Sequence, residues 1–169
     1  RVRAPEPGGV QCTWIGHASF LVQGAGVNLL IDPVFSKYCF PLPWPRLRRL
    51  HPPGLAMDEL PPIHGVLITH CHYDHLDRPT VRRLGNLPYY VPAGLGPWFR
   101  RLGMAQVVEF AWWQALAPAS TWRLTCLPAQ HFSARTLRDR NHTLWCGWLI
   151  ELGGVKVYAS GDTGFCPVF

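Results

Sequence analysis

Runs rich in branched and aromatic residues at 10–15 and 19–23 predict two strands, and Gly24-Ala25-Gly26 between them and Val27–Ile31 predicts a hairpin turn. The break at Asp32-Pro33 ends the third strand. A short apolar run at 65–69 predicts a buried strand. Asp77, with Pro79 two residues on, predicts a helix start, and the helix closes near Gly85. Further strands are predicted at 88–91, 107–110 and Trp122–Leu127, with a short helix over 94–102. A last hairpin, 145–152 and 155–160, turns on Gly153-Gly154. Residues 33–62 fit no period and are rich in proline. They predict a long irregular loop, a kind that is usually functional or mobile. A β-rich start followed by strand-helix units indicates an α/β layered fold with a largely mixed sheet.

The 169 residues suffice for one domain, and 48% apolar against 15% charged residues excludes a disordered chain. No apolar run reaches the roughly 18 residues of a membrane span. The net charge of +6 fits either an ordinary basic surface or an anionic partner: phospholipid head groups, nucleic acid or a phosphorylated substrate. The six cysteines form no C-x-x-C pair and suit reduced thiols in an intracellular protein. Both ends of the chain, Arg1 and the turn after 155–160, read as cuts, the C-terminal part of the domain lying beyond Phe169.

The chemistry concentrates in I-T-H-C-H-Y-D-H-L-D at 68–77. In an extended segment side chains alternate with period two, so His70 and His72 share a side. Asp74 and His75 follow at the turn. One metal cannot easily take all four groups, but two can, with His70 and His72 on one and Asp74 and His75 on the other. Imidazole and carboxylate suit zinc, with iron or manganese as alternatives. His131 and Asp162, each just past a predicted strand, are placed to complete the first site and to bridge the two. Burying so many ionisable groups without a partner would be costly.

T-H-C-H-Y-D-H-L-D resembles the signature of the metallo-β-lactamase fold superfamily. Within it, the chain is similar to the N-acyl-phosphatidylethanolamine-hydrolysing phospholipase D enzymes. The supporting segments are collinear: T-W-I-G-H-A-S at 13–19, I-D-P-V-F at 31–35, E-L-P-P-I at 59–63, E-F-A-W-W at 109–113, P-A-Q-H at 128–131, R-T-L-R-D at 135–139, L-W-C-G-W at 144–148 and A-S-G-D-T-G-F-C-P-V-F at 159–169. The resemblance implies an αββα sandwich, here its N-terminal portion. It implies one zinc on His70, His72 and His131 and a second on Asp74 and His75, with Asp162 bridging. The family takes a further histidine from downstream of Phe169. Cys71 stands where the family usually has Asn, and Phe132-Ser133-Ala134 replaces a bulkier, more polar segment. The implied reaction is metal-assisted hydrolysis of N-acyl-phosphatidylethanolamine, with Asp74 orienting the attacking hydroxide. The implied setting is intracellular and peripheral to a membrane, with a phospholipid partner, no nucleic acid, and room for a homodimer.

Asp32 is expected to orient the ligands by hydrogen bonding. His17 reads equally as a site-lining residue or a turn histidine. Cys71 is expected to point away from the metals. Trp44, Arg46, Arg48 and Arg49 are expected at a membrane surface, basic groups meeting head groups while aromatic ones enter the interface. The competing readings are another hydrolase of the same fold (lactonase, thioesterase or nuclease) and a non-catalytic membrane-associated scaffold.

Overall fold

The computed structural model describes residues 2–167 except 41 and 43. The last two positions of the 159–169 segment therefore lie outside the described residues. Strands β1 (Val10–Gly16), β2 (Ser19–Gly24) and β3 (Val27–Ile31) form an antiparallel meander. From β3 the sheet continues in parallel through β4 (Gly65–Leu67), β5 (Tyr89–Pro92) and β6 (Val107–Phe110). This is the mixed sheet that the pattern predicts.

A second sheet, wholly antiparallel, runs in the order β10-β9-β8-β7. Its strands are β7 (Ala115–Ala119), β8 (Trp122–Leu127), β9 (Gly147–Leu152) and β10 (Val155–Ala159). The two sheets are those of the αββα sandwich that the resemblance implies. Strand β7 escapes prediction because all five of its residues are exposed and Pro118 interrupts it; pairing with β8 alone makes it a strand.

The two sheets face each other. Val22, Leu29, Ile31 and Leu67 of the first pack on Trp122, Leu124, Trp148 and Ile150 of the second. The other face of the first sheet offers Leu21, Leu30, Val66 and Val91 to helices α1 (Arg78–Leu84) and α2 (Gly96–Arg100) through Val81 and Phe99. Neighbours such as Leu21 and Val22 serve opposite cores, as the strand period requires. Asp77 caps α1 by accepting from the Thr80 backbone N–H. The layers are helix, sheet, sheet. Among the described residues no helix covers the outer face of the second sheet. No helix among them is long and apolar enough to cross a membrane.

Strand β4 delivers the chemistry. Beyond Leu67 the Ile68 amide still donates to the Tyr90 carbonyl of β5 at 3.0 Å, while the Ile68 and Thr69 carbonyls turn to the side of the second sheet. The Trp148 indole donates to the Ile68 carbonyl at 3.0 Å and the Cys146 amide to the Thr69 carbonyl at 2.9 Å. The inter-sheet core thus fixes where His70 begins.

Candidate metal centre

The floor of the site is Asp32, buried to 1% exposure at the end of β3. Its φ of +41° lies in the left-handed region, a conformation that persists in a non-glycine residue only where surroundings enforce it. They do: Oδ1 accepts from the Thr69 amide at 2.7 Å, and Oδ2 from the Thr69 hydroxyl at 2.6 Å and from His75 Nδ1 at 2.8 Å. A carboxylate only accepts, so His75 carries its proton on Nδ1, and Nε2 is the atom turned into the site. The Thr69 hydroxyl spends its proton on Asp32 and therefore accepts from His70 Nδ1 at 3.0 Å, which turns His70 Nε2 inward too. One buried carboxylate thereby sets the orientation of two histidines, the arrangement by which metal-binding imidazoles are usually fixed.

Three ring nitrogens then converge. His72 Nδ1 lies 2.8 Å from His70 Nε2 and 3.2 Å from His131 Nε2. His131 arrives from the end of β8 on a segment tied to the Asp162 loop: the Gln130 amide donates to Thr163 Oγ1, and the Gly164 amide to the Gln130 carbonyl, both at 2.9 Å. Asp162 lies between the two halves of the site, Oδ1 3.2 Å from His75 Nε2 and Oδ2 3.8 Å from His131 Nε2. Gly161 makes this possible, since at φ +58° a Cβ there would meet the Thr69 side chain at 2.8 Å. On the rim, Asp74 Oδ2 accepts from His17 Nε2 at 2.9 Å and lies 3.9 Å from His75 Nε2.

Three groups result whose ligand atoms are close enough to share an ion: His70, His72 and His131; His17, Asp74 and His75; and His70, His75 and Asp162. The donor set fits a metal on one observation in particular. His75 Nε2 is buried and has no hydrogen-bond partner; Asp162 Oδ1 is near it but outside hydrogen-bonding geometry. An orphaned buried nitrogen of this kind is rare in folded proteins and calls for a ligand.

The electrostatics are consistent with that. Burial, reinforced by His75, His72 and His131, pushes His70 down to about 2, so it is a neutral donor. Burial also opposes the charge of His75, but the Asp32 hydrogen bond and charge, with Asp162 and Asp74, outweigh it and raise His75 to about 9. Burial works against ionised Asp74 too, yet His75 and the His17 hydrogen bond hold its carboxyl below the usual range.

The beta-lactamase superfamily domain matches residues 27–168. The chain belongs to that superfamily. Its α/β fold of two sheets is the metallo-β-lactamase-like fold. The chain is 36% identical to the N-acyl-phosphatidylethanolamine-hydrolyzing phospholipase D 1 of Caenorhabditis elegans, over 95% of this chain and 48% of that protein. It is 30% identical to a metal-dependent hydrolase of Cupriavidus necator, over 95% of this chain and 58% of that one. The chain therefore spans about half the length of these relatives. A metallo hydrolase of the archaeon Ignicoccus hospitalis shares the fold, with a TM-score of 0.70 at 22% identity over 94% of this chain and 63% of that one. The family supports a hydrolase, and the histidine-aspartate groups are its candidate metal sites.

All six residues predicted as ligands, and Asp32, meet at this site. His17, which the sequence left open between site and turn, pairs with Asp74 and belongs to the rim. Arg135 was missed. Its Nη1 donates to the Cys71 and Leu76 carbonyls, both at 2.8 Å, and its guanidinium lies 4.0 Å from the centre of the Tyr73 ring. It clamps both ends of the 71–76 loop onto the segment that carries His131. The Cys71 thiol accepts from Ser133 Oγ at 2.9 Å and is not in any of the three groups.

The basic loop is divided. Arg49 is half-buried and donates to the Val34 and Ser36 carbonyls. Trp44, Arg46 and Arg48 are exposed. All three arginines, but not Trp44, line a cleft of about 570 Å³ whose lining also includes His17 and Asp74.

Proposed function

We propose that the chain carries the metal centre of a zinc-dependent phosphodiesterase of phospholipase D type. Its substrate is N-acyl-phosphatidylethanolamine and its products are N-acylethanolamine and phosphatidic acid. The observation that carries the metal reading is the orphaned His75 Nε2 among the converging ligand atoms. The substrate reading is supported by the collinear Trp-rich and G-D-T-G-F-C-P segments and by the likeness to the worm enzyme.

His70, His72 and His131 would hold one zinc, Asp74 and His75 the other, and Asp162 would reach both. Bound zinc supplies Lewis acidity toward a phosphate oxygen and makes water a stronger nucleophile near neutral pH. The chain's own groups do the rest. Asp32 and Thr69 hold two imidazoles in one tautomer. Asp74, kept ionised and held by His17, accepts a hydrogen bond from the attacking water and orients it toward phosphorus. Water adds to phosphorus, the bond to the ethanolamide oxygen breaks, and that oxygen leaves with the proton that the attacking water gives up. Leu42, Trp44 and Leu50, exposed by 66%, 56% and 91%, suit peripheral contact with an intracellular membrane, where such side chains enter the interface.

The test is hydrolysis of N-acyl-phosphatidylethanolamine in mixed micelles. It is run with chelated protein and again after zinc is restored, beside RNA, a thioester and a lactone. Release of ethanolamide only in the presence of zinc, with the other substrates untouched, is expected. Comparable turnover of a rival substrate moves the reading to another branch of the superfamily.

A further inference from the structure

The cleft beside the metal centre holds charge that the metal reading does not use. Arg46, Arg48 and Arg49 line it together with Trp14, His17 and Asp74. Among the described residues none of the three guanidiniums has a carboxylate within ion-pair distance; the arginines so paired are Arg100 and Arg123. Among the described residues Asp74 is the only carboxylate lining the cleft, and it is engaged by His17.

Arg49 is fixed in place. Its Nη2 donates to the Val34 carbonyl at 2.6 Å and its Nε to the Ser36 carbonyl at 3.4 Å. Gly16, at φ +138°, leaves it room, because a Cβ there would lie 2.7 Å from Arg49 Nη1. Gly16 immediately precedes His17. The guanidinium therefore packs on the same turn that presents the rim of the metal centre.

We propose that this cleft is a subsite for a phosphate group, formed by Arg46, Arg48 and Arg49 next to the metal centre. The inference deepens the phosphodiesterase reading and rests on it for the source of the phosphate. Guanidinium forks match phosphate oxygens, and unpaired like charges lining a concavity focus the field on whatever anion enters. A concave site takes one phosphate group at a time; a flat basic face would instead respond to the charge density of a membrane. The group is the phosphate of the released phosphatidic acid in the enzyme's own reaction and free phosphate in solution.

The experiment titrates inorganic phosphate, and separately a short-chain soluble phosphatidic acid, into the whole chain by calorimetry. Wild type is compared with the Arg46→Ala/Arg48→Ala double variant, each zinc-loaded and each chelated. Both side chains are exposed, and circular dichroism checks that the variant is folded. The variant is expected to bind both ligands at least tenfold more weakly in both metal states, a loss ordinary for charge-assisted hydrogen bonds. Equal affinity of wild type and variant overturns the subsite. Vesicles containing phosphatidylserine form the last arm. A variant that binds phosphate normally but vesicles poorly shows a membrane contact and also overturns it. Failure of the phosphodiesterase reading shows separately, as a chain that binds phosphate through these arginines but cleaves no phosphodiester.

Discussion

The floor and the rim of the site are built differently. Asp32, Thr69, His70 and His75 are almost wholly buried and every hydrogen bond among them points the same way, toward two inward-facing Nε2 atoms. His17 and Asp74 on the rim have side chains 56% and 37% exposed, and beyond them the cleft is lined by arginines from an irregular loop. The floor owes its geometry to hydrogen bonds within the protein core. The rim is free to serve the substrate. Metal binding should therefore depend most on the floor, with Asp74 the rim's contribution to it, and substrate handling on the rest of the rim.

The sharpest way to break that distinction is Asp32→Ala. It removes the acceptor for three donors and leaves His75 buried without its partner. Losing one member of a buried pair costs about 3–5 kcal/mol, so urea unfolding should show a destabilisation of that order and zinc uptake should fail. A variant with normal metal content would show that the floor does not orient the ligands. Arg135→Ala should come next. It touches no ligand side chain but unclamps their loop, and zinc affinity should fall about 10–100-fold, the usual cost of losing an outer support. Restoration by Lys would show that a nitrogen donating to the two carbonyls suffices and that the guanidinium plane over Tyr73 is dispensable.

A smaller effect separates the histidines in the chelated chain by pH. Burial opposes the charge on His75 but Asp32 holds it protonated, so its contribution to stability is whole below the ordinary 6.5 and is lost as pH rises through about 9. His70, pushed down to about 2 by burial, contributes fully above 6.5 and loses that contribution as pH falls. Thermal unfolding of chelated protein should therefore be most resistant near pH 6.5 and weaken on both sides. A profile flat from pH 5 to 9 would contradict the floor's hydrogen-bond assignment. The smallest effect on stability belongs to His17→Ala. An exposed pair contributes at most about 1 kcal/mol, so the melting curve should barely move while hydrolysis slows. A large loss of stability would make His17 part of the floor.

The sequence exposed these two regions unequally, for physical reasons. H-x-H-x-D-H is legible because its ligands lie within one turn of chain and follow from strand period. Asp32 is legible because it ends a strand. His17 is not, since its partner is 57 positions away and G-H-A-S has no spacing that names it. Arg135 is likewise hidden, because its partners are backbone carbonyls about sixty positions away, and a carbonyl leaves no mark on residue identity. The basic loop is only partly legible for a related reason. Arg46, Arg48 and Arg49 look alike in sequence, yet two carbonyls take Arg49 out of solvent and the cleft gathers all three. In the fold, the inter-sheet core was readable from apolar runs, while the exposed edge strand Ala115–Ala119 carries no apolar period at all.

The most direct test is a zinc titration of the chelated chain, followed by calorimetry with elemental analysis at saturation. Two ions per chain are expected at saturation, the tighter on His70, His72 and His131 and the second held more weakly because its downstream histidine lies beyond Phe169, with that second ion lost when His75 is replaced by Ala. A wild-type chain that saturates with one ion, or takes up none, would contradict this expectation.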